Sequence, residues 1–316
     1  MAAADTQALV TRAGEGERAA LARLVSLIER GGATAREVGR LTFPLGGHAY
    51  TVGVTGSPGG GKSTLTSQMI AHLRASGLQV GVLAVDPSSP FSGGALLGDR
   101  IRMQDHALDH GVFIRSMATR GHLGGLALAV PEAVRVLDAA GIDVVLVETV
   151  GVGQVEVDVA TAADTTLVVV TPGSGDSVQA NKAGLLEVAD LFVINKADRP
   201  GTRELRRDLQ GMLDMSPPRD WRPPVVEAVA TAGQGIPEVW EAVTRHRAFL
   251  EQEGRLAANR QAHLEAELQQ IVARRLEQRV HRVLAEPELE AVREELVKRR
   301  LDPYQAAEAV LEHLEG

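Results

Sequence analysis

The run Gly56-Ser57-Pro58-Gly59-Gly60-Gly61-Lys62-Ser63-Thr64 has the residue types and spacing of a phosphate-binding loop, G-x-x-x-x-G-K-[ST]. Without Cβ atoms, its glycines let successive backbone N–H groups turn inward around phosphate oxygens at the start of a helix, whose partial positive charge adds to the attraction. Lys62 is placed to reach the β- and γ-phosphates of a nucleotide, and Ser63 to hold a magnesium ion. Asn195-Lys196-Ala197-Asp198 matches N-K-x-D, a guanine reader. A carboxylate at Asp198 accepts from guanine N1–H and the 2-amino group together. Adenine presents a lone pair at N1 and no 2-amino group, so it leaves that carboxylate without donors. Lys196 is then expected over the purine face, and Asn195 ties the base loop to the phosphate loop. Val229-Ala230-Thr231 is the candidate short loop whose backbone N–H meets guanine O6.

A second set of residues is acidic. Glu148-Thr149-Val150-Gly151 closes the apolar run at 143–147, which places Glu148 to hold magnesium through water and the Gly151 N–H to meet the γ-phosphate. Ras-like proteins carry a water-orienting glutamine directly after this glycine. Here Val152 stands in that place and the nearest glutamine is Gln154. Slow intrinsic hydrolysis follows, with a partner or second subunit completing the site, an effect worth about 10³–10⁵ in rate. Asp86 and Asp99 flank a Ser/Gly-rich stretch with the look of a switch, and two carboxylates near the phosphates suit magnesium binding and activation of the attacking water. Asp86 could instead cap its own loop, and spacing does not divide the roles among Asp86, Asp99 and Glu148. Gly173-Ser174-Gly175-Asp176 leads to Asn181-Lys182, a further switch that carries Lys182 toward phosphate or partner. In this arginine-rich chain lysine occurs only at 62, 182, 196 and 298 and asparagine only at 181, 195 and 259, so each retained Lys or Asn is a candidate for chemistry. The stretch 117–125 reads as a glycine-rich loop with a cation at Arg120. His122 reads there as a loop hydrogen bonder, since no second His or Cys stands at ligand spacing.

These residues need a frame that brings them together. Strand-like runs at 50–55, 79–85, 111–115, 143–148, 165–171, 190–195 and 224–229 alternate with helical ones, which predicts an α/β fold with a mostly parallel sheet and helices on both faces. The motifs fall after the strands, at the carboxyl ends where such sheets bind ligands. The phosphate loop should open a helix from Lys62 to about Ala75. Residues 6–30 read as one helix closed by Gly31-Gly32, part of an N-terminal helical extension over 1–45 ahead of a nucleotide domain over 46–245. A helical arm covers 246–316, with an apolar stripe at Leu264, Leu268, Ile271, Val272, Leu276, Val280 and Val283. The stripe must be covered either by the chain's own domain or by a second copy, and the arm's length outside the nucleotide fold favours a homodimer.

Composition bounds the rest. The 33 basic and 41 acidic residues give a net charge of −8 with no basic block, which disfavours nucleic acid and anionic membranes as partners. The chain has no cysteine, hence neither disulfides nor a thiolate metal site. It has no apolar run long enough to cross a bilayer and no secretory pattern at its start, so a cytoplasmic protein is expected.

Taken in order, GSPGGGKST, DPSSPFSGGALLGDRIRM, MATRGHLGGLA, ETVGVGQ, PGSGDSVQANKAG and NKAD resemble the MeaB/ArgK GTPases, over residues 45 to 240. That family is of the SIMIBI class of dimeric P-loop GTPases and serves adenosylcobalamin-dependent acyl-CoA mutases such as methylmalonyl-CoA mutase. The resemblance implies a GTP-hydrolysing chaperone that binds GTP/GDP and Mg2+, gates cofactor loading and rescues such a mutase. It also implies that the arm forms the dimer. By resemblance, Lys62 and Ser63 hold phosphate and magnesium, Asp86, Asp99 and Glu148 form the magnesium site, Lys182 lies in a partner-responsive switch, and Asn195 and Asp198 read guanine. Relatives often carry a Ser-Ala pair where this chain has Val229-Ala230-Thr231. Two rivals are a nickel-inserting metallochaperone GTPase, which the lack of Cys and of a His cluster opposes, and a small-molecule kinase.

Overall fold

The computed structural model describes residues 3–86, 104–106, 108–118, 123–149, 162–173 and 187–315. Two compact units divide the chain between Arg260 and Gln261.

In the first unit seven strands form one sheet: β1 (Tyr50–Gly56), β2 (Val80–Asp86), β3 (Val112–Ala118), β4 (Val144–Thr149), β5 (Thr165–Val170), β6 (Leu191–Asn195) and β7 (Val225–Ala228). Their order is β3-β2-β4-β1-β5-β6-β7, with every pairing parallel. Parallel neighbours require crossover connections that return over a face, so both faces are covered and the strands read as nearly unbroken apolar runs. Alternate residues of one strand therefore enter different cores. Val144 and Leu146 face α4 (Lys62–Ala75) and α7 (Ile236–Glu251) together with Leu65, Met69 and Val239. Val145 and Val147 face the opposite layer, with Leu24, Val25 and Val38 from the N-terminal helices and Leu137 from α5 (Leu123–Ala139). A third cluster joins Val168, Phe192 and Ile194 to Leu209 of α6 (Thr202–Met215).

Aspartates punctuate the amino ends of the strands. Asp143 accepts from the Gln79 N–H, Asp164 from the Thr51 N–H and Asp190 from the Thr166 N–H, at 2.7–2.8 Å. Each carboxylate satisfies a backbone donor of the neighbouring strand at the point where the ladder ends. Asp138, at the end of α5, accepts from His48 and Ala49 N–H at 3.2 and 2.9 Å and from Gly47 as well, fixing the chain as it enters β1.

The N-terminal region departs from the single helix expected over 6–30. It forms α1 (Ala3–Gly14), α2 (Arg18–Arg30) and α3 (Gly32–Thr42), broken at 15–17 by Glu15-Gly16-Glu17. Gly31 ends α2, its N–H returning to Ile28 O, but Gly32 opens a further helix instead of a loop. Leu24, Val25 and Val38 are no more than 1% exposed, so these helices supply core to the sheet. The expected glycine-rich loop at 117–125 is likewise shorter: Met117 and Ala118 belong to β3 and α5 begins at Leu123, while Arg120 and His122 lie outside the described residues.

The helix α8 (Arg255–Leu284) contains neither Gly nor Pro, is rich in Ala, Leu, Gln, Glu and Arg, and crosses the division between the units. In the second unit α9 (Glu290–Val297) and α10 (Pro303–Glu315) complete a small core of Val283, Leu289 and Val310, with Leu284, Val292 and Leu314 against it. Leu264, Leu268, Val272 and Leu276 are 42–60% exposed, outside that core.

Candidate functional site

The loop Gly56–Gly61 leaves β1 in the middle of the sheet and enters α4 at Lys62. Two of its glycines are demanded by geometry. Gly56 has φ +128°, and a Cβ there would stand 2.1 Å from Val169 O on β5. Gly61 has φ +84°, and its Cβ would meet Asn195 Nδ2 at 2.4 Å. Any side chain at either position must displace backbone or the Asn195 amide. Ser57, Pro58 and Gly59 form the outer part of the loop, closed by a Gly60 N–H donating to Ser57 O at 3.1 Å. Lys62 is 5% exposed, and its Nζ donates to Gly56 O at 2.5 Å and to Ser57 O at 3.1 Å, which holds the ammonium inside the loop. Thr64 follows, half-buried in the first turn of α4.

Ser63 donates from Oγ to Glu148 Oε1 at 2.5 Å, and the two are 6% and 3% exposed. Glu148 is brought there by register: on β4 it lies opposite Val54 of β1, two residues before the phosphate loop starts, and opposite Ala84 of β2. Behind it the Thr149 hydroxyl donates to Thr55 Oγ1 at 3.1 Å. A buried hydroxyl and carboxylate are hard oxygen donors, the kind a magnesium ion takes. Asp86 is the last residue of β2, the strand next to β4, and its side chain lies outside the described residues, as do Asp99, Gly151 and Lys182 entirely.

The N-K-A-D turn is built around Asn195, the last residue of β6 and 2% exposed. Its Nδ2 donates to Gly60 O at 2.8 Å, while its Oδ1 accepts from the Lys196 N–H at 2.9 Å and the Ala230 N–H at 3.1 Å. One amide thus joins the phosphate loop, the N-K-A-D turn and the loop after β7. Lys196 takes φ +58°, a left-handed backbone that a non-glycine residue holds at a cost of order 1–3 kcal/mol and that clusters at functional sites. Its Nζ reaches Gly59 O at 2.7 Å, a second link between the loops. The Ala197 N–H donates to Ala228 O at 3.1 Å, and Asp198 is exposed just beyond it. Of the three residues expected to face O6, Val229 donates its N–H to Gln234 O at 3.0 Å and Ala230 donates to Asn195.

Far from these loops, at the amino ends of the strands, lies a polar cluster that the motifs did not announce. Tyr50 Oη, Thr165 Oγ1 and His246 Nδ1 are linked at 2.6 and 2.8 Å, and His246 Nε2 stands 3.5 Å from Asp190 Oδ1. Burial lowers the imidazole to about 4 and pushes the Asp190 carboxyl up to about 6. Beside it the Arg260 guanidinium grips Asp164 with two bonds at 2.8 Å and the carbonyls of Gly47 and Ala49 at 2.7 Å. The one sequence signal here is the aspartate that repeatedly precedes an apolar run.

A central parallel strand leading through a glycine loop into a helix, with an N-K-x-D turn locked to that loop, defines a P-loop GTPase. The chain belongs to the MeaB family: the profile described as Methylmalonyl Co-A mutase-associated GTPase MeaB matches residues 21–285. The GTPase ArgK of Escherichia coli is 40% identical over 261 residues, covering 80% of this chain and 79% of that protein. The mouse mitochondrial methylmalonic aciduria type A homolog is 36% identical over 269 residues, 78% of this chain and 64% of its own length. A crystal structure of an LAO/AO transport system kinase covers 100% of this chain and 99% of its own, with a TM-score of 0.75 at 29% identity. The chain is therefore a SIMIBI-class enzyme that hydrolyses GTP.

Proposed function

We propose that the chain couples GTP hydrolysis to an adenosylcobalamin-dependent acyl-CoA mutase, gating cofactor loading and protecting or reactivating the mutase. The observation that carries this reading is the Asn195 junction, because it ties base recognition to the phosphate loop in a family described by its association with methylmalonyl-CoA mutase. Lys62 holds the β- and γ-phosphates. Ser63 and Glu148, with Asp86 and Asp99, would hold a magnesium ion, which would neutralise phosphate charge. The Gly151 N–H meets the γ-phosphate, and Lys182 sits in the switch that answers the partner. Asp198 accepts from guanine N1–H and the 2-amino group, Lys196 covers the purine, and the Thr231 N–H donates to O6.

Residues 246–316 act as a dimerisation arm on the nucleotide domain at 46–245, preceded by the helical region at 1–45. The exposed stripe Leu264, Leu268, Val272 and Leu276 supports pairing with a second copy, since such a stripe on a long helix is otherwise left in water. Among the described residues no helix is long and apolar enough to cross a membrane, and the working compartment is the cytoplasm. The absence of cysteine leaves delivery of a thiolate-bound metal without ligands. The test is uptake of adenosylcobalamin by the apo-mutase, followed by cobalamin absorbance with GTP and with a non-hydrolysable analogue. GTP-dependent transfer that the analogue blocks supports gating; transfer at equal rates with GTP, with the analogue and with no nucleotide overturns it.

A further inference from the structure

The turn that carries Asp198 is held by its backbone donors. The Lys196 N–H donates to Asn195 Oδ1 at 2.9 Å, the Ala197 N–H to Ala228 O at 3.1 Å and the Arg199 N–H to Lys196 O at 3.0 Å. The carbonyls on either side of Asp198 both meet one side chain. Thr202 Oγ1 lies 2.8 Å from Arg199 O and 3.1 Å from Ala197 O, so a single hydroxyl proton is shared between the residues before and after the aspartate. Asp198 itself is exposed, and its position is set by what grips the backbone around it.

These bonds do not run in the direction of an ordinary helix start. Thr202 is the first residue of α6, whereas a hydroxyl that serves a helix N-terminus sits one residue earlier and accepts from amides two or three positions on. Gly201, at φ +93°, occupies that place here, and no side chain caps the helix. The Thr202 hydroxyl instead donates backwards into the turn. It does so from a firm base: Thr202 is 8% and Leu209 1% exposed, and Leu205 and Leu209 pack with Phe192 and Ile194 of β6, the strand that ends in Asn195. One hydroxyl thus ties the backbone around Asp198 to a helix fixed on the sheet. A carboxylate that must meet two donors on one base edge has to be held to within about 0.5 Å, which an exposed side chain on a free turn does not achieve.

We propose that Thr202 is a positioning residue for guanine selectivity, acting through Asp198 by gripping the carbonyls of Ala197 and Arg199. This rests on Asp198 as the guanine reader. Loosening the turn costs most where both donors of the base are used. Inosine triphosphate keeps N1–H but lacks the 2-amino group, so it loses less than GTP.

Calorimetric titration of the full chain with GTP and with inosine triphosphate reads the effect. Thr202→Val, which removes the hydroxyl at nearly the same shape, should lower the preference for GTP over inosine triphosphate by about three- to tenfold, and Thr202→Ser should restore it. Should the valine variant fail to fold, Thr202→Ala gives the same reading. An unaltered preference, or an equal loss of affinity for both nucleotides, would overturn the proposal and leave Thr202 as a residue of the helix start only. Asp198→Ala separates the two possible failures. If it leaves the preference untouched, the base reading falls and the positioning role with it; if it abolishes a preference that the hydroxyl-free variants retain, the positioning role alone falls.

Discussion

Asn195→Ala removes one side chain that serves three loops, and its cost can be worked from the hydrogen bonds it leaves unmade. The substitution deprives Gly60 O of a donor at 2.8 Å, and the Ala230 and Lys196 N–H groups of an acceptor at 3.1 and 2.9 Å. Gly60 and Ala230 are buried, so water cannot replace what they lose. Leaving a buried polar group unsatisfied costs about 1–3 kcal/mol, and two such groups bring the penalty to roughly 2–6 kcal/mol. The left-handed Lys196 backbone also loses the bond that holds it, so the N-K-A-D turn relaxes away from the guanine site. If about 3 kcal/mol of the total appears in binding, GTP affinity falls by about 10²-fold. Calorimetric titration with GTP, at a temperature where circular dichroism shows the variant folded, reads that loss directly. A variant that binds GTP within about threefold of the wild type would refute the view that this amide couples base loop to phosphate loop.

Other substitutions test separate parts of the account. Asp198→Asn should move preference from GTP toward xanthosine triphosphate by about 10²-fold, measured by competition, because the amide donates where the carboxylate accepted; an unchanged preference removes Asp198 from the base site. Arg260→Met should lower the stability of the first unit by about 3 kcal/mol in urea unfolding, since Asp164, 6% exposed, loses its cation; a change below about 1 kcal/mol would mean that solvent screens the pair. At the His246–Asp190 pair, burial lowers the imidazole to about 4 from its ordinary value near 6.5, so the unfolded chain binds more protons between those pH values and this group adds stability as pH rises. Asp190, raised to about 6, does the opposite from about pH 4 to 6, and each effect is worth about 2–3 kcal/mol. As pH is raised from 4.5 to 6.5, His246→Gln should therefore fall behind wild type in stability and Asp190→Asn should draw ahead of it; parallel curves for all three proteins would show that the pair does not titrate in this window. Leu268→Glu with Leu276→Glu should abolish the self-association proposed for the arm, giving a monomer by sedimentation where the unaltered chain gives a dimer; an unaltered mass would contradict pairing through this stripe.

The GTPase class was legible because its motifs are local. A phosphate loop, an acid at a strand end and an N-K-x-D turn each occupy a few consecutive residues, and the alternation of apolar runs placed all of them at one edge of a parallel sheet. Ser63 and Glu148 meet because β1 and β4 are neighbours in register, a fact that no spacing in the chain encodes. That Val229 and Ala230 give their N–H groups to Gln234 O and Asn195 Oδ1 is likewise a matter of the fold, not of spacing. The single helix expected over 6–30 is two because Gly16, at φ +88°, turns the chain between α1 and α2, and a further helix starts at Gly32 where two consecutive glycines usually end one. The network at the strand roots was invisible for a different reason: Tyr50, Thr165, His246 and Asp190 are single residues spread over 197 positions of sequence, joined by the fold alone.

The steady-state GTP hydrolysis rate of the purified chain, alone and with an adenosylcobalamin-dependent acyl-CoA mutase, is the most direct test of the central claim. With Val152 in the place of a water-orienting glutamine, the isolated chain should turn over slowly, and the mutase should accelerate it by about 10³-fold or more. A rate unchanged by such mutases would contradict the chaperone reading and leave a guanine-nucleotide switch with another client.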